Sequence, residues 1–219
     1  MLGSILKDLI RTGKAGVAAE SGRRRLLNVG GGSKAIPIPS HYDGWEHLLL
    51  DIDARGKPDI VCDARRLERL AAGQFDAVYC SHNIEHYYPH DGAKVLKGFL
   101  HVLRADGFAE IRVPDIQAVM SRVVQSGMCI SDVLYDSPAG PISPHDVLYG
   151  YGKEIEQSGQ DFYAHKTGFT AKTLRRALEQ AGFLNTFLFE APGAFEIKAF
   201  AFKSEPTAAQ RRLLNLVPS

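Results

Sequence analysis

The sequence lacks the features that mark secreted, membrane-spanning and broadly nucleic-acid-binding proteins. Its 219 residues include three cysteines, Cys62, Cys80 and Cys129, an odd number without a C-x-x-C pair, which is typical of a reducing compartment. No run approaches the roughly 18 apolar residues of a membrane span. The 26 basic residues nearly balance the 25 acidic ones, so we expect no nucleic-acid partner. We therefore expect a cytoplasmic protein.

What the sequence does contain is a series of short apolar runs separated by helical segments. Continuous apolar runs that stop at glycine or acidic residues are typical of parallel strands covered on both faces. Five follow one another: RLLNV, HLLLDID, PDIVCDA, FDAVYCS and FAEIRVPD. Two more, NTFLFEA and FEIKAFAFK, flank a turn predicted at Pro192-Gly193 and must be antiparallel. The pattern predicts an α/β fold with a doubly wound, mostly parallel sheet.

Two helices are predicted by their spacing and their capping residues. Apolar side chains keep helical spacing from Leu96 to Leu103, and Asp106-Gly107 is expected to end that helix. Thr170 is expected to cap a later helix, with Gly182 as its left-handed terminator.

The chain divides into three parts. Residues 1–22 are predicted to form an N-terminal helix and a connector, residues 23–204 the main domain, and residues 205–219 a C-terminal tail. Within the main domain, residues 116–166 show little periodicity, several prolines and many aromatic residues. Connections longer than about 15 residues inside a domain are usually functional. We expect this segment to cover a substrate pocket as a lid.

Three consecutive strand ends carry groups that suit an adenosine-bearing cofactor. Gly30 and Gly32 form G-x-G directly after the first strand, where a ligand can lie against bare backbone. Asp51 ends the second strand, 21 residues after Gly30, where a carboxylate can accept both ribose hydroxyls. Asp63 has the same position after the third strand, near a possible adenine edge. Asp53 lies on the same face as Asp51 and is its rival for the ribose.

A nicotinamide cofactor is the main alternative. Gly30, Gly32 and Ala35 satisfy the spacing G-x-G-x-x-A. A dinucleotide pyrophosphate, however, needs a helix N-terminus directly after the glycines, and Pro37 and Pro39 break any helix there. An NAD(P)-dependent oxidoreductase and a non-catalytic interaction protein stay open as alternatives at this point.

Several ordered motifs resemble those of class I S-adenosylmethionine-dependent methyltransferases. They are LLNVGGG, LLLDID, IVCDA, FDAVYCSHNIEH and VLRADGFAEIRVPD, followed by the closing antiparallel strand, and they span about residues 26–203. The resemblance implies a seven-stranded sheet with a C-terminal antiparallel strand, and S-adenosylmethionine as the cofactor. The sequence departs from the family pattern at Ser33-Lys34, where many members have another glycine. It also departs in its first crossover helix, which is short or absent.

The resemblance also implies a role for each strand end. Gly30 and Gly32 would approach the methionine part of the cofactor, Asp51 the ribose, and Asp63 the adenine amino group. After the fourth strand, the residues that would flank the sulfonium are Ser81 and His82.

The segment from His82 to His86 also spells H-x-x-E-H, the inverted zinc-peptidase motif. Such a zinc site needs both histidines on one face of a continuous helix. Because His82 directly follows a predicted strand, the motif straddles a strand-to-helix turn, and we expect no metal site. A simpler interpretation is that Glu85 and His86 cap a helix without taking part in chemistry.

Methyl transfer needs an aligned nucleophile and the exclusion of water. A neutral histidine is the natural base for a hydroxyl acceptor near pH 7, and the candidates are His86, His165 and His145. The resemblance extends to small bacterial enzymes of cell-surface sugar pathways. It therefore implies a small hydroxylated acceptor, such as a sugar or a glycan precursor.

Overall fold

The computed structural model describes residues 22–138, 140–191 and 193–216. Apart from Gly22, the predicted N-terminal helix and connector lie outside the described residues, as does Pro192 of the predicted turn. Residues 217–219 of the predicted tail lie outside them as well. Within the described part of the chain, no helix combines the length and the apolar character that crossing a bilayer requires.

Each of the seven predicted runs forms a strand. In chain order the strands are β1 (Arg25–Val29), β2 (Glu46–Asp51), β3 (Ile60–Val61), β4 (Phe75–Ser81), β5 (Leu103–Pro114), β6 (Tyr135–Ser137), β7 (Gly140–Ile142), β8 (Asn185–Ala191) and β9 (Glu196–Phe202). The strands β6 and β7 pair with each other as a separate small hairpin. The sequence did not predict this hairpin.

The other strands form one seven-stranded sheet in the order β3-β2-β1-β4-β5-β9-β8. Neighbours from β3 to β5 are parallel, whereas β9 runs antiparallel to both β5 and β8. This arrangement confirms the doubly wound, mostly parallel sheet with an antiparallel C-terminal strand. The strand order changes direction between β1 and β4, and open α/β sheets bind ligands beyond the carboxyl ends of strands at such a switch point.

The helices only partly follow the sequence prediction. They are α1 (Pro89–Val102), α2 (Ile116–Ser126), α3 (Pro144–Tyr149), α4 (Gly152–Ser158), α5 (Ala171–Ala181) and α6 (Ala208–Leu213). The caps of α5 are confirmed: the Thr170 side chain accepts a hydrogen bond from the backbone of Thr173, and Gly182 has a φ of 111°.

The end of α1 corrects the prediction that Asp106-Gly107 stops this helix. The helix ends at Val102, and Leu103 already pairs with Phe75 at the start of β5. The register between β4 and β5 then shifts, so Asp106 and Gly107 lie in an irregular part of the strand. Strand pairing, which local helical spacing does not report, decides this boundary.

Two apolar layers cover the two faces of the sheet. On one face α1 and α5 pack over buried residues such as Val78 and Ile111. On the other face Tyr42 and Trp45 pack with Phe108. These two aromatic residues come from the connection between β1 and β2, which has a single 3-10 turn and no α-helix. The two prolines therefore predicted correctly that the first crossover helix is missing.

Residues 116–166 contain more regular structure than their sequence predicts. The helix α2 begins at Ile116. The Asp115 carboxylate caps it by accepting hydrogen bonds from the backbone N–H groups of Gln117 and Ala118. Val119 is the buried residue of this helix, while Met120 and Val124 are exposed. The helix packs through a small apolar cluster around Val119 that is separate from the two layers on the main sheet.

A buried glutamate ties the β1–β2 connection to the sheet. The Glu110 side chain, on β5, has no exposed surface and accepts hydrogen bonds from Tyr42 Oη at 3.0 Å and from His41 Nε2 at 2.8 Å. Its other oxygen accepts one from Arg112 at 2.9 Å. Burial alone would raise the pKa of Glu110, but His41 and Arg112 lower it below its ordinary value. The ionised side chain therefore stabilises the fold above its unfolded pKa, and this contribution is lost at acid pH.

We predict that Glu110→Gln lowers the free energy of unfolding by about 2 kcal/mol at neutral pH, because charge-assisted hydrogen bonds are lost in a buried site. The difference from the unaltered chain should shrink below about pH 4, where the native carboxyl becomes protonated. Urea unfolding at the two pH values measures both effects. The control is Glu46→Gln, which breaks the more exposed ion pair with Arg25 and should cost below about 0.5 kcal/mol. Equal losses in the two variants would contradict this account.

Candidate functional site

The carboxyl ends of β1, β2 and β4 border a cavity of about 640 Å³. The glycine loop after β1, the acidic residues after β2 and β3, and the turn after β4 form its walls. The end of the long excursion, residues 161–166, covers it. Residues that line the cavity include Gly30, Gly32, Asp51, Asp53, Asp63, His82, Asn83, His86 and Tyr163. The structure thus brings the predicted cofactor residues together, with the exception of Ser81.

The glycine loop presents bare backbone to this cavity. Gly30 and Gly32 have φ values of 72° and 67°, in the region that glycine favours. A Cβ atom on Gly30 would lie 2.1 Å from the side-chain nitrogen of Asn83, which is far too close. The backbone N–H of Gly30 also donates to Leu50 O at 2.8 Å. Only glycine fits at this position.

Asp51 braces the loop as well as facing the cavity. One carboxylate oxygen accepts a hydrogen bond from Gly32 N and the other from Asp53 N, both at 2.9 Å. Each oxygen keeps a further acceptor site, because a carboxylate has about four. The sequence indicated a ligand contact here but not the bracing role.

The rival aspartate has a different set of partners. The Asp53 carboxylate accepts hydrogen bonds from the backbone and the guanidinium of Arg55, which lower its pKa. Arg55 also donates to the Tyr163 hydroxyl at 3.2 Å. Asp53 therefore connects the β2 end to the excursion, and its carboxylate is engaged by an arginine.

Asp63 also carries an arginine. Arg65 contacts the Asp63 carboxylate at 2.6 Å and the Asp91 carboxylate at 3.2 Å. Burial opposes ionisation of Asp63, but the Arg65 guanidinium and backbone lower its pKa. Asp63 thus lines the cavity after the third strand, as predicted, but its carboxylate is paired with Arg65.

Ser81 departs from the prediction that it borders the cofactor. Its side chain hydrogen-bonds with Tyr79, whose ring belongs to the apolar layer around Tyr42. Alternate residues of a strand share a face, so Ser81 follows Tyr79 away from the cavity. Asn83, which no sequence pattern indicated, lies against Gly30 in its place.

A second cavity, of about 460 Å³, lies on the other side of the turn after β4. Its wall comes mainly from the excursion, including Tyr135, Asp146, Tyr151, Glu154 and His165, with Phe195 beyond it. His82, His86 and Tyr163 line both cavities. The two cavities therefore meet at the turn after β4.

Two of the predicted base candidates form a pair at this junction. The rings of His86 and His165 have centroids 4.9 Å apart. In each ring Nδ1 is hydrogen-bonded to a backbone carbonyl oxygen. The distance from His86 Nδ1 to Ala164 O is 3.2 Å, and that from His165 Nδ1 to Val147 O is 2.7 Å. Because a carbonyl oxygen only accepts, both Nδ1 atoms donate and the free lone pair is on Nε2. Burial lowers the pKa of His165, so its ring is neutral at pH 7.

The third base candidate lies elsewhere. His145 is exposed on α3, and its ring lies 5.0 Å from that of Tyr149. Among the described residues that line the two cavities, His145 does not appear. The prediction that His145 is a base therefore finds no geometric support.

The turn between these histidines carries a buried carboxylate. Glu85 is 1% exposed, and neither of its carboxylate oxygens has a hydrogen-bond partner among the described residues. The nearest charged atom is His82 Nδ1 at 3.6 Å, which is too long for a hydrogen bond.

His82 is a cation at neutral pH. Desolvation lowers its pKa, but the carboxylates of Glu196, 3.0 Å from its Nε2, and of Glu85 raise the value to about 10. A protonated imidazole has no lone pair to accept a proton, so His82 is unsuited to act as a base.

Comparison with known proteins agrees with this architecture. A family model described as a methyltransferase domain matches residues 39–111. A SAM-dependent methyltransferase structure from Archaeoglobus fulgidus is 17% identical, with 83% of this chain and 86% of that chain covered and a TM-score of 0.51. The PH0226 protein from Pyrococcus horikoshii OT3 is 15% identical, with 82% of each chain covered and a TM-score of 0.54. A search of curated proteins finds no match.

The chain has the class I methyltransferase fold, and its residues 39–111 match the methyltransferase-domain model. The matched part contains β2 to most of β5 and the turn after β4. The excursion that walls the second cavity lies outside the residues that the family model matches.

We predict that Gly30→Ala lowers the free energy of unfolding by about 2–3 kcal/mol, because the new Cβ meets Asn83 in addition to the backbone strain. Gly73→Ala is the matched control: its φ of 66° is similar, but nothing lies within 4 Å of the added atom. We expect about 1 kcal/mol there. Adding Asn83→Ala to Gly30→Ala should recover part of the difference in urea unfolding, because it removes the Asn83 atoms at 2.1 and 2.3 Å but keeps the Cβ at 2.9 Å. No recovery would contradict the close Gly30–Asn83 contact.

Proposed function

We propose that the domain methylates an oxygen of a small hydroxylated acceptor, such as a sugar or a cell-surface glycan precursor. The observation that carries this proposal is the meeting of the two cavities at His86, with the neutral His165 beside it. One cavity has the groups for the cofactor, and the other has an uncommitted histidine lone pair for an acceptor.

The first cavity fits S-adenosylmethionine. Bare backbone at Gly30 and Gly32 would lie against the methionine part, and the remaining acceptor sites of Asp51 would take the ribose hydroxyls. The Asp63–Arg65 pair lies toward the adenine end. When bound, the cofactor supplies a methyl group on a sulfonium, which passes to an acceptor oxygen and leaves a methyl ether, a thioether and one proton.

The second cavity has the chemistry of a sugar site. The rings of Tyr135 and Phe195 stack with centroids 6.0 Å apart, and the exposed Tyr135 ring would lie against the C–H surface of a sugar. The carboxylates of Asp146 and Glu154, in the same wall, are acceptors for hydroxyl groups. The excursion that carries most of these residues would act as the predicted lid.

The proton of the acceptor hydroxyl would leave toward the His86–His165 pair. Both rings offer Nε2, and the low pKa of His165 keeps its ring neutral near pH 7. His82 would remain a charged neighbour paired with Glu196.

An NAD(P)-dependent reaction has less support. A dinucleotide pyrophosphate requires a helix N-terminus after the glycines, and in residues 33–45, all of them described, there is only a 3-10 turn at Ser40–Tyr42.

The three cysteines are unpaired in the structure, which fits the cytoplasmic location that we also propose.

The cofactor part of the proposal is tested with Asp51→Asn and Asp53→Asn. Loss of the charged ribose acceptor should weaken S-adenosylhomocysteine binding by about 10- to 150-fold in Asp51→Asn. The matched variant Asp53→Asn should stay within about threefold, because Arg55 engages that carboxylate. Calorimetric titration measures both, and NAD and NADP serve as ligands that should not bind. The reverse pattern would move the ribose site to Asp53, and full affinity in both variants would refute the adenosine placement.

The acceptor part is tested with labelled S-adenosylmethionine and a panel of sugars, phenols and amines. We expect label in sugar ethers, and a kcat reduced by about 100-fold or more in His165→Ala with a smaller change in KM. The exposed His145→Ala is the control and should keep full activity. Transfer to amines alone, or full activity in His165→Ala, would contradict the proposal.

A further inference from the structure

We propose that Glu85, His86 and His165 form a binding site for a divalent transition-metal ion. One potential ligand atom of each residue lies within 4.8 Å of those of the other two. The three residues come from the turn after β4 and from the end of the excursion, and two of them line the second cavity. The site lies where the two cavities meet.

The first observation in favour is the state of Glu85. A buried carboxylate normally receives hydrogen bonds or a close counter-charge. Glu85 is 1% exposed and has no hydrogen bond to either oxygen among the described residues. The imidazole of His82, at 3.6 Å, only partly compensates. A cation bound by Glu85 would supply the missing partner.

The second observation is the orientation of the histidines. Metal-bound histidines usually donate the other ring N–H to a backbone carbonyl or a carboxylate, which fixes the ring and its tautomer. Both rings have this arrangement already, on Ala164 O and Val147 O. Their Nε2 lone pairs are therefore the ones that remain for a ligand.

The donor set decides which ions are suitable. Two imidazoles and one carboxylate suit Zn²⁺ or Mn²⁺, whereas Ca²⁺ prefers an all-oxygen shell and Mg²⁺ oxygen ligands with several waters. Three protein ligands also leave at least one coordination position open, as in catalytic zinc sites. Because His86 and His165 line the second cavity, that position would face an acceptor.

This site differs from the one that the H-x-x-E-H motif suggests. The sequence excluded a helical zinc site, and Ile84–His86 is indeed a single 3-10 turn that follows a left-handed His82 with a φ of 48°. His82 is instead paired with Glu196. The second histidine of the proposed site is His165, which local sequence spacing does not bring to His86.

The role of the ion rests on the proposed function. With the ion bound, the Nε2 lone pairs of His86 and His165 would be occupied, so the cation would replace the histidine pair as the group that activates the acceptor. It would bind the acceptor oxygen directly and lower the pKa of its hydroxyl, whose proton would leave to solvent. Binding of the ion itself does not depend on the identity of the acceptor.

The experiment uses the untagged full chain, stripped of metal with a chelator and titrated calorimetrically. We expect saturable binding of one Zn²⁺ or Mn²⁺ per chain, and much weaker binding of Mg²⁺ and Ca²⁺. Glu85→Gln, His86→Ala and His165→Ala should each weaken the affinity by on the order of 100-fold or more. The control His145→Ala, from the same excursion, should bind as the unaltered chain does.

Two further measurements keep the result unambiguous. His82→Ala should retain Zn²⁺ binding, because a site built on the H-x-x-E-H motif, but not the proposed one, needs that residue. Circular dichroism and urea unfolding of every variant show that the variants are folded, and S-adenosylhomocysteine affinity is measured in the unaltered chain and in His145→Ala, whose side chain lines neither cavity. If the unaltered chain binds the cofactor but shows no saturable metal binding, only the metal site is overturned. The same holds if Glu85→Gln binds Zn²⁺ as tightly as the unaltered chain does. If the unaltered chain does not bind S-adenosylhomocysteine, the proposed function is overturned, while saturable binding of the metal ion would still support this site.

Discussion

The geometry of the site depends on two hydrogen bonds to one carbonyl group. The backbone N–H groups of Lys166 and Thr167 donate to Glu85 O at 2.8 and 3.2 Å. They join the end of the excursion to the turn after β4, so that His165 lies beside His86 and both cavities share one wall. The backbone N–H of His165 also donates to Tyr149 O at 3.0 Å, which attaches His165 to α3 within the excursion. Without this attachment His165 would no longer be held beside His86 in the wall of the second cavity.

The rest of the site is built around the same turn. Left-handed backbone at a residue other than glycine is strained and often occurs at functional sites, and His82 has this conformation directly before the turn. Asn83 then packs against Gly30, while the Asp51 carboxylate braces Gly32. The cofactor loop, the turn and the excursion are therefore in direct contact with one another. A change in any one of them would reach both cavities.

The sequence predicted the parts of this molecule that depend on local patterns. Apolar runs predicted the strands of the main sheet, and capping residues predicted both ends of α5. The end of α1 and the direction of Ser81 depend on strand register, which local patterns do not contain. The pairing of His86 with His165 is a long-range contact made through the excursion, and so it could only be seen in the structure. Among the residues that line the first cavity, position after a strand indicated Asp51, but Asn83 carried no signal of its own.

The central claim is that the two cavities meet at the reacting centre. A crystal structure of the chain with S-adenosylhomocysteine tests it most directly. The account predicts the ribose at Asp51 and the sulfur at the junction beside His86, with room for an acceptor oxygen about 3 Å from the position of the transferred methyl group. A ligand bound elsewhere, or a sulfur directed away from the second cavity and the His86–His165 pair, would contradict it.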